Sequence, residues 1–191
     1  MKCLLCENIS LSHICFSCQE LFLKPSLSKR KIAKNIEVFS FYKYQDIKDL
    51  LHTKHSDLGY YIYKVLADNS FKQFAQEFEF DTQLASIAVD DKPLEYGYSH
   101  TAILNQALKS RYINPHVNKL RAQNSVSYSG KSREFRMMHP RNFTCKTIKE
   151  ESVILVDDII TTGSTLSQAI QTLHANKKEV LFCLTLADAK D

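Results

Sequence analysis

The chain has 191 residues, of which 44% are hydrophobic and 24% are charged, and its formal net charge at pH 7 is +4. This length supports one hydrophobic core with a small appendage, and the composition excludes a disordered chain. The mildly basic charge permits a polyanionic partner without requiring one. The sequence has no run of transmembrane length and no signal-peptide core in residues 1–20, so we expect a cytoplasmic protein.

The N-terminus contains two Cys-x-x-C pairs separated by eight residues: Cys3, Cys6, Cys15 and Cys18. Cytoplasmic proteins rarely form disulfides, and four thiolates with this spacing can bind Zn²⁺ tetrahedrally. We therefore predict a structural zinc knuckle over residues 1–24. Two alternatives are that the cysteines are redox-active, or that His13 replaces one of them as a zinc ligand. The isolated Cys183 lies in an apolar run and is predicted to be a packed strand residue.

Helical and strand patterns alternate through the rest of the chain, and we place the main domain at 36–191. Residues 19–35 are basic and are predicted to form a helix end and a linker, either solvated or in contact with nucleic acid phosphates. The predicted strands are Ile36–Tyr44, Leu84–Val89, Val117–Leu120, Val153–Ile159 and Val180–Leu186. The predicted helices are Gln45–His52, Asp57–Phe78 and Ser99–Ser110, with one more after Gly163. These patterns favour an α/β fold in which helices flank a parallel sheet.

Two cationic segments are candidates for binding phosphate. Lys54 and His55 lie at a helix junction, where they could meet pyrophosphate or could simply be solvated. Residues 121–146 read as a long loop in which aromatic residues alternate with cations, among them Arg121, Lys131, Arg133 and Arg136. Such a loop could bind single-stranded nucleic acid, close over a pyrophosphate, or remain solvated.

The most informative stretch is Ser152–Leu166, where a β-branched apolar run ends in Asp157 and Asp158. The strand's alternation cannot hide both acids on one apolar face, so at least one must point into a site at the carboxyl end of the sheet. The segment that follows, residues 161–165, is rich in hydroxyl groups and opens a helix, which favours binding of an anion such as phosphate. The paired carboxylates suit vicinal hydroxyls or a hydrated Mg²⁺.

This stretch resembles the phosphoribosyl pyrophosphate (PRPP) motif of type I phosphoribosyltransferases. The resemblance implies a type I phosphoribosyltransferase-like fold in which Asp157 and Asp158 hold the ribose 2- and 3-hydroxyls. It assigns the 5-phosphate to the loop residues Thr161, Thr162, Gly163, Ser164 and Thr165. Magnesium is expected to accompany PRPP.

Over its whole length the chain resembles the ComF/ComFC competence proteins, which carry an N-terminal four-cysteine knuckle and a basic region before the PRPP loop. In this resemblance Lys54 matches the family lysine, and 97–100 stand in for Gly-Phe-Asn-Gln. Arg121, and Arg133 or Arg136, fall near family arginines. Residues 87–96 are shorter than the corresponding pyrophosphate loop and nearly without cations, which predicts weaker stabilisation of the leaving group and binding without turnover.

The resemblance implies a role in natural transformation, in which the protein handles incoming single-stranded DNA in the cytoplasm, near the inner membrane and its DNA-uptake proteins. The second hypothesis is an active phosphoribosyltransferase that transfers phosphoribose from PRPP to a nitrogen nucleophile. A PRPP-sensing regulator is a third.

Overall fold

The computed structural model describes residues 1–93, 97–124, 135 and 138–190, with only the backbone described at Lys34. Its strands are β1 (Ser28–Lys31), β2 (Glu37–Lys43), β3 (Leu84–Ala88), β4 (Ile113–His116), β5 (Leu120–Ala122), β6 (Phe143–Cys145), β7 (Ser152–Ile160) and β8 (Glu179–Asp188). Its helices are α1 (Phe16–Phe22), α2 (Tyr44–His52), α3 (Gly59–Asn69), α4 (Phe71–Glu77), α5 (His100–Ala107) and α6 (Ser164–Ala175). Short 3₁₀ helices cover Ala33–Asn35 and Thr53–His55.

The centre of the fold is a six-stranded sheet in the order β1-β2-β8-β7-β3-β4. All neighbouring strands are parallel except β1 and β2, which pair antiparallel at one edge. Strand β7 lies between β8 and β3 in the middle of the sheet, and its apolar residues Val153–Val156 are buried on both faces. The expected α/β fold with a mostly parallel sheet flanked by helices is confirmed.

Each face of the sheet has its own hydrophobic core. One face packs against α2 to α5, with Ile62, Leu66 and Leu104 among its fully buried residues. The other face packs against α6, whose Leu166 and Ile170 are buried, and against the two-stranded β5–β6 ribbon. Cys183 is buried in this second core, as predicted.

Several predicted elements differ from the structure, each for a local reason. The helix predicted at Asp57–Phe78 breaks at Ser70, whose Oγ donates to the carbonyl of Leu66 at 2.6 Å, and α3 begins two residues after Asp57. The strand predicted at Val117–Leu120 is wrong because Asn118 has φ of 59°, which interrupts an extended backbone between β4 and β5. The predicted linker at 19–35 contains β1, and both ends of the predicted basic loop belong to the β5–β6 ribbon.

Among the residues described, no helix is both long and apolar enough to cross a membrane.

Candidate functional site

The carboxyl ends of β3, β7 and β8 meet at one edge of the sheet because these strands are parallel. Asp157 and Asp158 lie near that end of β7, as the sequence predicted. Successive strand residues point to opposite faces, so the two carboxylates separate. Asp157 shares the face of Leu155, which belongs to the α6 core, whereas Asp158 shares the face of Val156, which belongs to the α2–α5 core.

Asp158 contacts basic side chains from two different helical segments. Lys54 Nζ, in the 3₁₀ turn before α3, donates to Asp158 Oδ2 at 2.8 Å, and His100 Nε2, at the start of α5, lies 3.3 Å from the same oxygen. Burial opposes ionisation of Asp158, but Lys54 and His100 outweigh it and hold the pKa of its carboxyl well below the usual range. Burial lowers the pKa of Lys54 and the Asp158 charge raises it, with a net upward shift. This carboxylate and ammonium therefore form a charged pair near neutral pH.

Asp157 has a different environment. Its Oδ1 accepts a hydrogen bond from the backbone N–H of Asp158 at 2.9 Å, and within the described part of the chain it forms no ion pair. Burial, together with the neighbouring Asp158 carboxylate, raises the pKa of Asp157 well above its usual range. A bound cation or hydroxyl donor would relieve this cost.

A small cavity at the start of α6 is lined by Asp157 and by the loop residues Thr161, Gly163, Ser164 and Thr165. The loop turns at Gly163, whose φ of 79° suits glycine, and a Cβ there would lie 3.0 Å from Ile32 Cγ2. The first-turn amides of α6 have no acceptor within the helix, and the helix dipole adds positive potential at this end. The cavity is thus lined by a carboxylate and by a helix terminus that suits an anion.

Hydroxyl groups shape this loop. Thr162 Oγ1 lies 2.9 Å from Ser164 Oγ and accepts a hydrogen bond from the Ser164 N–H at 3.3 Å. The five loop residues predicted to bind phosphate therefore lie together beside Asp157. Lys54 lies on the opposite face of β7, next to Asp158.

Arg30 on β1 holds the beginning of this loop, and it was missing from the sites predicted from sequence. Its Nη2 donates to the carbonyl oxygen of Thr161 at 2.6 Å, and its Nε lies 2.9 Å from Oδ2 of the buried Asp188. The contact turns the Thr161 carbonyl toward a cation and away from the space where an anion would bind. The alternation of exposed Lys29 and Lys31 with a half-buried Arg30 is visible only in the structure, because all four residues of β1 are polar.

His100 was also missed as a partner of Asp158. Its ring packs edge-on against Tyr63 with the centroids 5.4 Å apart. The next residue back, Ser99, caps α5 by accepting the N–H of Ala102 at 3.2 Å, which fixes the helix start and the position of His100. The serine before an apolar helical pattern was a recognisable cap, but its long-range partner was not readable from sequence.

The segment after β3 makes structural contacts with the β5–β6 ribbon. Asp90 Oδ1 accepts the N–H of Ala122 at 3.1 Å, and Lys92 Nζ lies 3.7 Å from the same oxygen. Arg141 Nη1 lies 3.9 Å from Asp90 Oδ2. Lys92 and Arg141 therefore both lie beside the Asp90 carboxylate.

The four knuckle cysteines form a compact cluster whose sulfur atoms all lie within 4.8 Å of one another, and none forms a disulfide. The backbone N–H of Cys15 donates to Cys3 Sγ at 3.3 Å, which is the main reason that the pKa of Cys3 falls to about 6. Clustered sulfurs with amide donors suit a metal ion such as zinc. His13 is engaged elsewhere, because its ring stacks on Tyr61 of α3 with the centroids 4.5 Å apart.

The predicted nucleic-acid residues are only partly described. Arg121 lies on β5 opposite Thr144 of β6, and its Nε is buried with no hydrogen-bond partner among the residues in view. Lys131, Arg133 and Arg136 lie outside the described residues, so the structure gives no position for them.

Solved structures of three phosphoribosyltransferases align with this chain. An adenine phosphoribosyltransferase structure aligns at 17% identity and a TM-score of 0.43, covering 89% of this chain and 88% of that one. Orotate phosphoribosyltransferase from Aeropyrum pernix aligns at 16% identity and a TM-score of 0.40, with 90% and 80% covered. A hypoxanthine phosphoribosyltransferase from Staphylococcus aureus aligns at 14% identity and a TM-score of 0.40, with 66% and 62% covered.

A search of curated proteins finds no match. The PRTase-CE family model matches residues 22–190, which include every strand of the sheet and both aspartates. The chain therefore belongs to the PRTase-CE family, a family of type I phosphoribosyltransferase-like proteins.

Proposed function

We propose that this protein binds PRPP, or a closely related phosphoribose, at the carboxyl edge of the sheet. The observation that carries the proposal is the cavity in which the uncompensated carboxylate of Asp157 faces the start of α6. A ribose 5-phosphate has hydroxyl donors at one end and an anion at the other. Its hydroxyl end therefore matches the Asp157 carboxylate, and its phosphate end matches the loop at the start of α6.

In this proposal each group has one role. The amides and hydroxyls of Thr161–Thr165 bind the 5-phosphate, and Asp157 accepts hydrogen bonds from the ribose hydroxyls. Asp158 contributes from the other face of β7, and Lys54 supplies a positive charge for the pyrophosphate. Magnesium, which binds mainly carboxylate and phosphate oxygens and keeps several waters, would be held by the ligand phosphates and these acids and would neutralise pyrophosphate charge.

The same geometry supports binding without rapid turnover. Departure of pyrophosphate needs cations near the leaving group, and Lys92 and Arg141 of the described residues after β3 and β5 lie against Asp90. The alternative is an active phosphoribosyltransferase, in which a nitrogen nucleophile displaces pyrophosphate. These two functions share the PRPP site and differ in pyrophosphate release.

Calorimetric titration with PRPP and Mg²⁺, together with a pyrophosphate-release assay, tests both functions. We expect saturable PRPP binding that is lost when Asp157→Ala and Asp158→Ala are combined. The matched control replaces two exposed acids of α2, Asp46→Ala with Asp49→Ala, and should bind normally. Binding that survives the first double substitution contradicts the site, whereas rapid pyrophosphate release with an added nucleobase favours the enzyme.

We also propose, from the sequence resemblance to competence proteins, that the protein handles single-stranded DNA in the cytoplasm during natural transformation, near DNA-uptake proteins at the inner membrane. Arg121 supports this second role because it lies on β5, at the base of the basic segment. A phosphate contact there would satisfy a guanidinium donor and release counterions.

The DNA role is tested by measuring the affinity for a single-stranded oligothymidylate over a range of salt concentrations. Replacing Arg121, Arg133 and Arg136 by glutamine should weaken binding and flatten its salt dependence. Replacing exposed lysines elsewhere, Lys48→Gln with Lys149→Gln, should change the slope much less. An unchanged slope in the arginine variant would remove the basic segment from the proposal.

We propose that the metal of the four-cysteine cluster is Zn²⁺ and that its role is structural. Cys3, Cys6, Cys15 and Cys18 would supply all four ligands. Elemental analysis should find about one zinc per chain, as a four-thiolate site requires, and Cys15→Ser should lose it. A metal-free wild-type protein with reduced thiols would contradict this assignment.

A further inference from the structure

A groove of about 540 Å³ runs between α3 and α5, on the opposite side of these helices from the sheet. Both helices begin near the candidate site, because Tyr98 Oη, just before α5, donates to the carbonyl of Lys54, just before α3. The groove follows the two helices away from that edge. Its α3 wall extends from Tyr60 to Asp68, which corresponds to about 12 Å of helix.

The floor of the groove consists of small and apolar side chains from both helices: Ala67, Ala102, Ile103 and Ala107. Three of these four residues are alanines, which lets another backbone approach closely. Ala102, Ile103 and Ala107 keep part of their surface accessible. The floor therefore offers apolar contact along about two turns of helix.

The walls of the groove are positively charged. Lys64, Lys72 and Lys109 are exposed residues that line it from three segments. Asp68 is the one acid among the described lining residues, and it forms an exposed pair with Lys72 at 3.5 Å. Lys64 and Lys109 therefore give the walls a net positive charge on opposite sides of the apolar floor.

We propose that this groove binds an amphipathic α-helix of a partner protein. The partner helix would place small apolar side chains on the floor and acidic side chains beside Lys64 and Lys109. A stretch of about eight residues, just over two turns, spans the available length. Charge complementarity sets the acidic character of the partner, and the narrow apolar floor sets its helical form.

The shape of the site favours a helix over single-stranded nucleic acid. Stretches that bind single strands combine cations with several aromatic side chains on which successive bases stack. Tyr60 is the only aromatic among the described lining residues, and it lies at one end. A strand of nucleic acid would find charge along this groove but few rings to stack on.

Site-specific photocrosslinking tests the proposal in the cells that naturally produce the protein. A benzophenone amino acid replaces Gln106, which lines the groove, or Gln73, an exposed α4 residue that does not. We expect a discrete adduct from position 106 that resists nuclease and whose partner peptide, by mass spectrometry, is acidic with helical apolar spacing. Position 73 should not give this adduct.

Charge reversal supplies the matched control. Lys64→Glu with Lys109→Glu should reduce the adduct at least about tenfold, because like charges would face the partner's acidic flanks. Lys48→Glu with Lys149→Glu makes the same change in net charge on other exposed surfaces and should leave the adduct intact. An adduct to nucleic acid or to a second copy of this chain, an equal loss in both charge variants, or no adduct at position 106 would overturn the proposal. PRPP binding should be unchanged in all four lysine substitutions, which separates this result from the phosphoribose site.

Discussion

On the α2–α5 face of the sheet, Asp158 contacts Lys54 and His100, whereas on the α6 face its neighbour Asp157 contacts a backbone amide and a loop that suits an anion. The same two-residue motif therefore has one carboxylate whose charge is balanced within the protein and one whose charge is not. Balanced charges stabilise a fold, and an unbalanced buried charge is typical of a ligand site. The two carboxylates therefore differ: Asp158 holds Lys54 in an ion pair, whereas Asp157 has no ion-pair partner among the described residues.

The largest expected effect is the loss of the balanced carboxylate. Asp158→Asn should lower the free energy of unfolding by about 3 kcal/mol, because Lys54 would stay mostly buried beside a neutral amide. Urea denaturation at pH 7 measures the change, with Asp49→Asn on exposed α2 surface as the control. Equal stability of Asp158→Asn and the wild type would show that the pair contributes no net stabilisation.

The next effect concerns the loop on the unbalanced face. Arg30→Gln should lower the free energy of unfolding by about 2 kcal/mol, because it removes a charged hydrogen bond to Thr161 and leaves Asp188 buried without its cation. It should also weaken PRPP binding, because the loop would lose its anchor on β1. Lys29→Gln is the matched control, as the neighbouring Lys29 faces outward with 65% of its side chain exposed. If Arg30→Gln unfolds more easily but binds PRPP normally, Arg30 supports the sheet and does not position the loop.

The smallest effect has the opposite sign. Asp157→Asn should raise the free energy of unfolding at pH 7, because it removes a carboxylate whose ionisation is opposed by burial and by Asp158. The same variant should lose PRPP affinity. Destabilisation of Asp157→Asn at pH 7 would contradict the division between the two carboxylates.

The pH dependence sharpens this contrast. A carboxyl with a raised folded pKa, such as Asp157, costs nothing when protonated, and its cost appears as pH rises above the ordinary value of about 4. The stabilisation by Asp158, whose folded pKa is lowered, is present above that value and disappears as pH falls toward its folded pKa. The Asp157 difference should therefore grow as pH rises from about 4 to 7, whereas the Asp158 difference should stay nearly constant over that range and shrink only below about pH 4, as denaturation from about pH 2 to 7 would record.

Local patterns predicted much of the fold and the site. The apolar run before Asp157 and the hydroxyl-rich loop after it define a strand, a turn and a helix within fifteen residues, so local sequence was sufficient. The paired Cys-x-x-C spacing likewise predicted the cysteine cluster. These features depend on neighbours in sequence, which is why they could be read without a structure.

The contacts that balance charge depend on residues far apart in sequence. Arg30 reaches Thr161 across 131 positions and Lys54 reaches Asp158 across 104, and no local pattern encodes either pairing. The antiparallel edge strand β1 was hidden because its residues, Ser28–Lys31, are all polar. Its pairing with β2 comes from backbone hydrogen bonds and from the buried arginine, neither of which changes hydropathy.

The four-cysteine knuckle is joined to the rest of the protein by a common core. Cys3, Ile14 and Cys18 belong to the same buried cluster as Ile62 and Leu66 of α3. The PRTase-CE match begins only at residue 22, so an expression boundary chosen from that match would remove these side chains and uncover apolar surface on α3. We expect such a shortened chain to aggregate. If the knuckle binds zinc as proposed, a chelator added to the full chain should uncover part of the same surface.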